Sequence, residues 1–243
     1  MTYNICFACN GLLSSISYTK DSTYYLCKQC GCWNKIPRGS YSDIIQGGYH
    51  IPSPTDISKS KNKFEGLLIQ LESYVGKGCL FDVATGIGGM LALAKDRGWK
   101  KYDGNELRTE HIQAAKKHYG IHVRLGHFVI QCIIDQYDVI VFHHGIEHLR
   151  NPYLAIHRAI DRLKPNGYIY LTHPCLPESN EFYLRKYADW SESIGCHKYE
   201  WTYKSFEYFV NQFRYLKVVN TGCGPKDDKN AVCPIQHWLL RKR

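Results

Sequence analysis

The chain has 243 residues and a formal charge of +9, from 31 Lys and Arg against 22 Asp and Glu. That length can bury one core of ordinary size and carry a small appendage. No apolar run of about 18 residues is present, which excludes a membrane-spanning helix. The start, MTYNICFACN, lacks the basic and apolar regions of a secretory leader, so a cytoplasmic protein is expected. A modest positive field suits an anionic substrate or RNA, and it equally suits plain solubility. No dense run of Lys and Arg with interleaved aromatics favours nucleic acid.

The first 36 residues stand apart. Cys6-x-x-Cys9 and Cys27-x-x-Cys30 are two like-spaced pairs, each followed closely by a glycine, Gly11 and Gly31. Two such knuckles can bring four thiolates to one tetrahedral ion, so the spacing predicts a structural zinc ribbon with a short strand at Tyr24-Tyr25-Leu26. Two unrelated pairs are the plainer alternative. A redox motif would need a strand–helix junction that the surrounding sequence does not offer. Cys32 is a spare thiol beside the second knuckle. Cys79, Cys132, Cys175, Cys196, Cys223 and Cys233 show no ligand spacing.

Residues 37–58 are rich in Pro and Gly and read as a linker, with Tyr41 and Tyr49 able to lie over a cleft. The remaining 59–243 form the main domain. Phe64, Leu67, Leu68 and Leu71 recur at helical spacing. Strands are then expected at 79–84, 101–106, 121–125, 137–143 and 168–173, with helices at 89–97, 109–119 and 152–163. Gly98 and Gly120 stand where helices end. The alternation implies an α/β fold, a parallel sheet covered by helices on both faces. Tyr215–Thr221 and Gln236–Arg241 are two further strand-like runs.

The segment FDVATGIGG, residues 81–89, reads as a buried strand running into a glycine-rich turn and a helix. Gly86 and Gly88 allow positive φ and close approach of a ligand, and the helix turns its first amides toward the same space. Glu106, ending the next strand, is placed to hold ribose hydroxyls. The turn is not a dinucleotide fingerprint, because Leu91 fills the slot that wants a small residue. The acid at the strand end, Asp82, instead suits a nucleoside carrying a charged amino-acid tail. At the end of the fourth strand, His144, Glu147 and His148 are spaced to share one face if a helical turn begins there.

With these motifs the chain resembles the class I S-adenosylmethionine-dependent methyltransferases from about Phe64 onward. DVATGIG stands for the family's D-V-G-C-G-x-G, with Ala84 replacing the first glycine. GNELRTEHIQAAKKHYG, YDVIVFHHGIEHLRNP and LKPNGYIYLTHP follow in the family's order. Within that family the chain looks like the ubiquinone-biosynthesis O-methyltransferase branch. The resemblance implies a Rossmann-like seven-stranded sheet ending in an antiparallel hairpin. It also implies cofactor contacts at Asp82, Gly86, Gly88, Glu106 and His143, with adenine near His127 or Phe128. CHKYEWTYKSF resembles a block of the small-RNA 2′-O-methyltransferases, whose matching positions form a divalent-metal site. That likeness adds His197 to His144, Glu147 and His148 as a catalytic set. A capping or packing role for Glu147 and His148, or His144 acting alone as a base, are the alternatives.

These readings lead to an S-adenosylmethionine-dependent methyltransferase for oxygen on a small-molecule acceptor. RNA methylation, with the ribbon as a grip, and a non-catalytic binding module are the competing expectations.

Overall fold

The computed structural model describes residues 5–6, 8–18, 22–37, 59, 61, 63–176, 197–224 and 235–243. The linker beyond Pro37, with Tyr41 and Tyr49, lies outside the described residues, as do Cys196 and Cys233.

Three short strands open the chain: β1 (Leu13–Tyr18), β2 (Ser22–Cys27) and β3 (Trp33–Pro37), paired antiparallel in that order. Helix α1 (Glu65–Val75) precedes β4 (Cys79–Val83), α2 (Gly89–Asp96), β5 (Lys101–Glu106), α3 (Thr109–Tyr119) and the two-residue β6 (Arg124–Leu125). Then come β7 (Tyr137–His143), a single 3₁₀ turn (Ile146–His148), α4 (Pro152–Arg162) and the long β8 (Leu163–Leu176). The order finishes with β9 (Tyr199–Thr202), α5 (Tyr203–Asn211), β10 (Leu216–Gly224) and β11 (Ile235–Lys242).

Seven strands run in the order β6-β5-β4-β7-β8-β11-β10. The first five are parallel, and β11 is antiparallel to both its neighbours. This is the expected seven-stranded sheet with its terminal hairpin. Alternation along each strand builds two apolar layers. Leu80, Val139, Val141 and Tyr170 meet α1 and α2 through Leu68, Leu71, Met90 and Leu91. Phe81, Ile140, Phe142, Leu171 and Trp238 meet α4 and α5 through Ile156, Ala159, Phe206 and Phe209. No helix among the described residues is long and apolar enough to cross a membrane.

Three expectations need correction. The strand expected at 121–125 shrinks to Arg124–Leu125, because Gly120 turns left-handed (φ 62°) and the Ile121 amide goes back to Ala115 O. The strand expected at 168–173 extends to Leu163–Leu176, absorbing a turn in which Asn166 takes φ 62°. The ribbon is no free appendage. Its β3 pairs with β9 (Trp33 with Glu200, Asn34 with Tyr199), and β9 pairs with the tip of β8. Gln212 Nε2 also donates to Ala8 O at 3.0 Å, and Gln29 Nε2 to Tyr208 Oη at 2.7 Å. Sequence periodicity missed β1, β3, β9 and α5, although the last begins on a capping box. There the Ser205 amide donates to the Thr202 hydroxyl at 3.1 Å and the Thr202 amide to the Ser205 hydroxyl at 2.8 Å.

Candidate active site and metal centres

The sheet order reverses between β4 and β7, which lie side by side in register (Leu80 with Val139, Asp82 with Val141). A reversal of this kind opens a crevice beyond the strand ends. The glycine turn after β4 and the histidine-rich exit of β7 both lie at that crevice.

Ala84, just after β4, takes φ 56°, the conformation a glycine would take without strain. Gly86 follows at φ 60°, and a Cβ built there would meet nothing within 4 Å, so the turn leaves open space beside its backbone. Gly88 caps α2 at φ 75°. Glu106 shapes this turn as well as facing it. Its Oε2 accepts the Gly86 amide at 2.9 Å, while Oε1 accepts the amides of Leu107 at 2.6 Å and Arg108 at 3.1 Å. Burial alone would push its carboxyl up. The His111 imidazole, 3.7 Å from Oε2, and the Arg108 and Leu107 amides outweigh burial and hold it below the usual range. Asp82 behaves oppositely. Its carboxyl is pushed up to about 7 by burial, with Glu106 adding to the rise and the Thr85 hydroxyl, donating at 2.6 Å, opposing it. The open turn, the oriented amides and these two carboxyls fit a nucleoside with a cationic tail.

His143 ends β7, with its ring 5.0 Å from Phe64 and 4.8 Å from His144. Of the pair expected near adenine, His127 is exposed and Phe128 is not. The Phe128 ring is 1% exposed between Phe81 and Phe142, at 5.4 and 5.8 Å. That packing makes it a core residue rather than a stacking surface.

Glu147, His148 and His197 offer ligand atoms that all lie within 4.8 Å of one another. His144 flanks them, its Nδ1 3.4 Å from Glu147 Oε1. The convergence has a different cause from a shared helical face. His144 lies outside the 3₁₀ turn, in a left-handed conformation (φ 52°), with its amide held by Thr172 O at 3.1 Å. His197 is brought in by the Lys198 amide, which donates to Glu147 O at 2.8 Å. Glu147 is 1% exposed, and beyond the His144 contact neither of its carboxylate oxygens has a hydrogen-bond donor among the described residues. Burial pushes this carboxyl up, but His144, His148 and His197 together hold it below the usual carboxylate range. A buried anion among imidazoles, with its lone pairs unspent, fits a divalent cation.

Sequence reading missed Glu200 and rates His173, after the fifth strand, only as a weaker base candidate or a structural histidine. Glu200, 1% exposed on β9, has Oε2 3.6 Å from His197 Nδ1. It lies three residues beyond His197, a spacing that could have found it. His173 is wholly buried, its Nδ1 donating to Pro174 O at 2.8 Å, and burial lowers its pKa to about 4.

Cys6, Cys9, Cys27 and Cys30 bring their Sγ atoms within 4.8 Å of one another, with Cys6 and Cys30 at 3.7 Å and Cys9 and Cys27 at 3.4 Å. Tetrahedral thiolates about 2.3 Å from a zinc ion lie roughly 3.8 Å apart, so the donor set fits that ion. The two knuckles repeat one backbone design. Cys6 O accepts the Asn10 amide at 2.8 Å, and Cys27 O accepts the Gly31 amide at 2.9 Å. The left-handed residues are Asn10 (φ 58°) and Gly31 (φ 73°), not Gly11. Gly11 serves close approach instead, since a Cβ there would sit 3.1 Å from Cys27 Sγ. Cys32 is buried but stands outside the four, its thiol donating to Trp33 O at 3.5 Å.

The profile of a methyltransferase-domain family matches residues 62–212. The chain is 27% identical over 165 residues to the N-terminal Xaa-Pro-Lys N-methyltransferase 1-B of Xenopus laevis, covering 64% of this chain and 73% of that one. Among solved structures, the N-methyltransferase NodS of Bradyrhizobium japonicum, bound to S-adenosyl-L-homocysteine, matches with TM-score 0.57 and 12% identity over 83% of this chain and 97% of that one. A methyltransferase of Methanosarcina mazei matches with TM-score 0.59 and 12% identity over 71% and 96%. The structural likenesses speak to the fold.

Proposed function

On the premise that this chain belongs to the methyltransferase-domain family and is an S-adenosylmethionine-dependent methyltransferase, we propose that it methylates a hydroxyl oxygen on a small-molecule acceptor. The observation that carries the reading is the convergence of Glu147, His148 and His197, flanked by His144, at the crevice shared with the glycine turn. The bound cofactor supplies a methyl group already activated on a sulfonium. What the chain must do is align the acceptor, exclude water and take the hydroxyl proton. Glu106 and the Gly86–Gly88 backbone hold the nucleoside, and Asp82 faces its amino-acid end. His144 is the base, and the Glu147 carboxylate stabilises the imidazolium that forms. Glu147, His148 and His197 would hold a divalent ion, which when bound supplies Lewis acidity to a hydroxyl at the crevice. The four ribbon thiolates hold structural zinc.

The Xenopus relative favours a second reading, transfer to an amino nitrogen, for which the same base would serve. Incubation with methyl-labelled cofactor and, separately, catechol, a short RNA and a peptide beginning Xaa-Pro-Lys distinguishes these. Label recovered as an aryl methyl ether supports the proposal. Label confined to the peptide nitrogen or the RNA ribose overturns it. Glu147→Gln is expected to lower the rate by roughly 10²–10⁴-fold with cofactor binding kept.

A further inference from the structure

Two histidine–glutamate pairs of one design meet at the crevice. His144 Nδ1 is 3.4 Å from Glu147 Oε1, and His197 Nδ1 is 3.6 Å from Glu200 Oε2. In each, the glutamate follows its histidine by three residues. The two glutamates are equally buried, at 1% exposure, but they are placed differently. Glu147 belongs to the set whose ligand atoms gather within 4.8 Å, together with His148 and His197. Glu200 stands outside that set and touches it through His197.

The backbone fixes where Glu200 stands. It pairs with Trp33 across β3 and β9. Lys198, two residues earlier, is held from both sides: its amide donates to Glu147 O and its carbonyl accepts the Lys35 amide, each at 2.8 Å. Side chains alternate along a strand. Trp201 packs on Phe206 and Phe209, both at 5.1 Å, so Glu200 turns to the other side of β9, toward His197. A carboxylate is costly to bury without a partner that answers its charge. A histidine ligates through a nitrogen that carries no proton, and the partner of its other nitrogen decides which one that is. An ionised carboxylate only accepts, so it holds the proton on Nδ1 and makes Nε2 the ligating atom. The pair at 3.6 Å is in ion-pair range, and a movement of roughly half an ångström closes the hydrogen bond.

Resting on the reading of a divalent ion at Glu147, His148 and His197, we propose that Glu200 is a positioning residue for His197. It fixes the ring's orientation and tautomer, with the proton on Nδ1 and Nε2 turned to the ion. Glu147 ligates and Glu200 orients, although both are buried glutamates three residues past a histidine. The ribbon strand β3 reaches the ion through this residue without touching it, because Trp33 holds the backbone of Glu200.

The test uses the full chain with zinc in its ribbon. Spectra of ¹⁵N-labelled histidine, taken where the ring is neutral, show which nitrogen carries the proton; the His197 signals are those lost in His197→Asn. Without added metal, wild-type His197 is expected to carry it on Nδ1. Glu200→Gln keeps the size of the side chain and removes the charge. It should mix the two tautomers and weaken Mn²⁺ binding, counted by electron paramagnetic resonance, by roughly 10–100-fold. A role confined to packing would lower the melting temperature and leave tautomer and Mn²⁺ affinity unchanged. Wild-type His197 protonated on Nε2 overturns the proposal without any variant having to fold. Wild-type Mn²⁺ affinity in a folded Glu200→Gln overturns it as well. If the wild type binds no Mn²⁺ while Glu200→Gln still mixes the tautomers, the metal reading fails and Glu200 keeps its hold on His197.

Discussion

The ribbon and the strand-end crevice both gather ligating side chains, but by opposite means. The ribbon's four thiols come from two copies of one short backbone design, so each knuckle is complete within six residues of chain, Cys6 to Gly11 and Cys27 to Cys32. The crevice collects Asp82, Glu106, Glu147 and His197 from the ends of different elements, and only the sheet brings them together. The ribbon's four thiols, once deprotonated, would need a metal to balance their charge. The crevice balances three buried carboxyls differently: a retained proton on Asp82, the His111 imidazole with backbone amides on Glu106, and imidazoles alone on Glu147.

The largest expected effect comes from breaking the ribbon. Thiolate zinc sites bind with roughly 10–16 kcal/mol, most of which is folding energy for so small a unit. Cys27→Ser is expected to abolish stoichiometric zinc, measured by elemental analysis. The β3–β9 pairing adds a consequence that an independent ribbon would not have. The Lys35 amide donates to Lys198 O at 2.8 Å, next to His197, so loosening β3 should speed hydrogen exchange at residues 198–200 and lower activity. Full activity in a zinc-free Cys27→Ser protein would show that the two regions are uncoupled.

Asp82 supplies the next effect, and its sign is worked out from its proton. Its carboxyl is pushed up to about 7 from an ordinary 3.8, so the native state holds a proton that the unfolded chain releases near pH 4. Stability from this group is therefore present below pH 4 and is lost as pH rises toward 7, on the order of 4 kcal/mol in all. Asp82→Asn should flatten that slope and stabilise the ligand-free protein at pH 8, as read by urea melts at pH 5 and pH 8. Wild-type cofactor binding near pH 6.5 should release a proton, detectable by calorimetry in buffers of different ionisation enthalpy. A slope unchanged in Asp82→Asn would place the buried proton elsewhere.

The same contrast explains what the sequence made legible. Two CxxC pairs with like spacing are local, and so is the strand–turn–helix around Gly86; both could be found by reading forward a few residues. The apolar runs located the central parallel strands, because β4, β7 and the later half of β8 are buried on both faces. The strands β1, β3 and β9 escaped because they owe their existence to partners rather than to their own pattern: β1 and β3 flank β2, and β9 bridges β3 and the tip of β8. His144 was picked out for the wrong geometry: identity and spacing suggested a helix face, whereas a left-handed residue and a tertiary hydrogen bond aim it. Phe128 looked like a ligand residue because it follows the third strand, and only the packing of Phe81 and Phe142 shows it to be core.

Glu106 tests whether the crevice is held by its carboxyls or merely lined by them. The carboxylate accepts three backbone amides, one of them from the glycine turn, so its removal should disturb the turn even without ligand. Glu106→Ala is expected to cost roughly 1.5–3 kcal/mol of cofactor affinity through lost charge-assisted bonds. Glu106→Gln can keep an acceptor for the Gly86 amide and should recover part of that loss. Calorimetry giving wild-type affinity for Glu106→Ala would remove it from the site.

The smallest effect concerns Ala84, where this chain has a side chain on a backbone that favours none. A non-glycine residue in the left-handed region costs about 1–2 kcal/mol, and glycine there gives back roughly 0.5–1 kcal/mol through the entropy of the unfolded chain. Ala84→Gly should therefore stabilise the protein by about 1 kcal/mol or less, a rise of a few degrees at most in melting temperature. Its effect on cofactor affinity separates two roles for the strain. If Ala84 only tolerates the turn, affinity stays the same while stability rises. If the methyl group helps hold Gly145 in place, whose Cβ position lies 3.8 Å from it, the exit of β7 loosens. Affinity and turnover would then fall together despite the relieved backbone, and the two halves of the crevice would prove to be braced against each other at this residue.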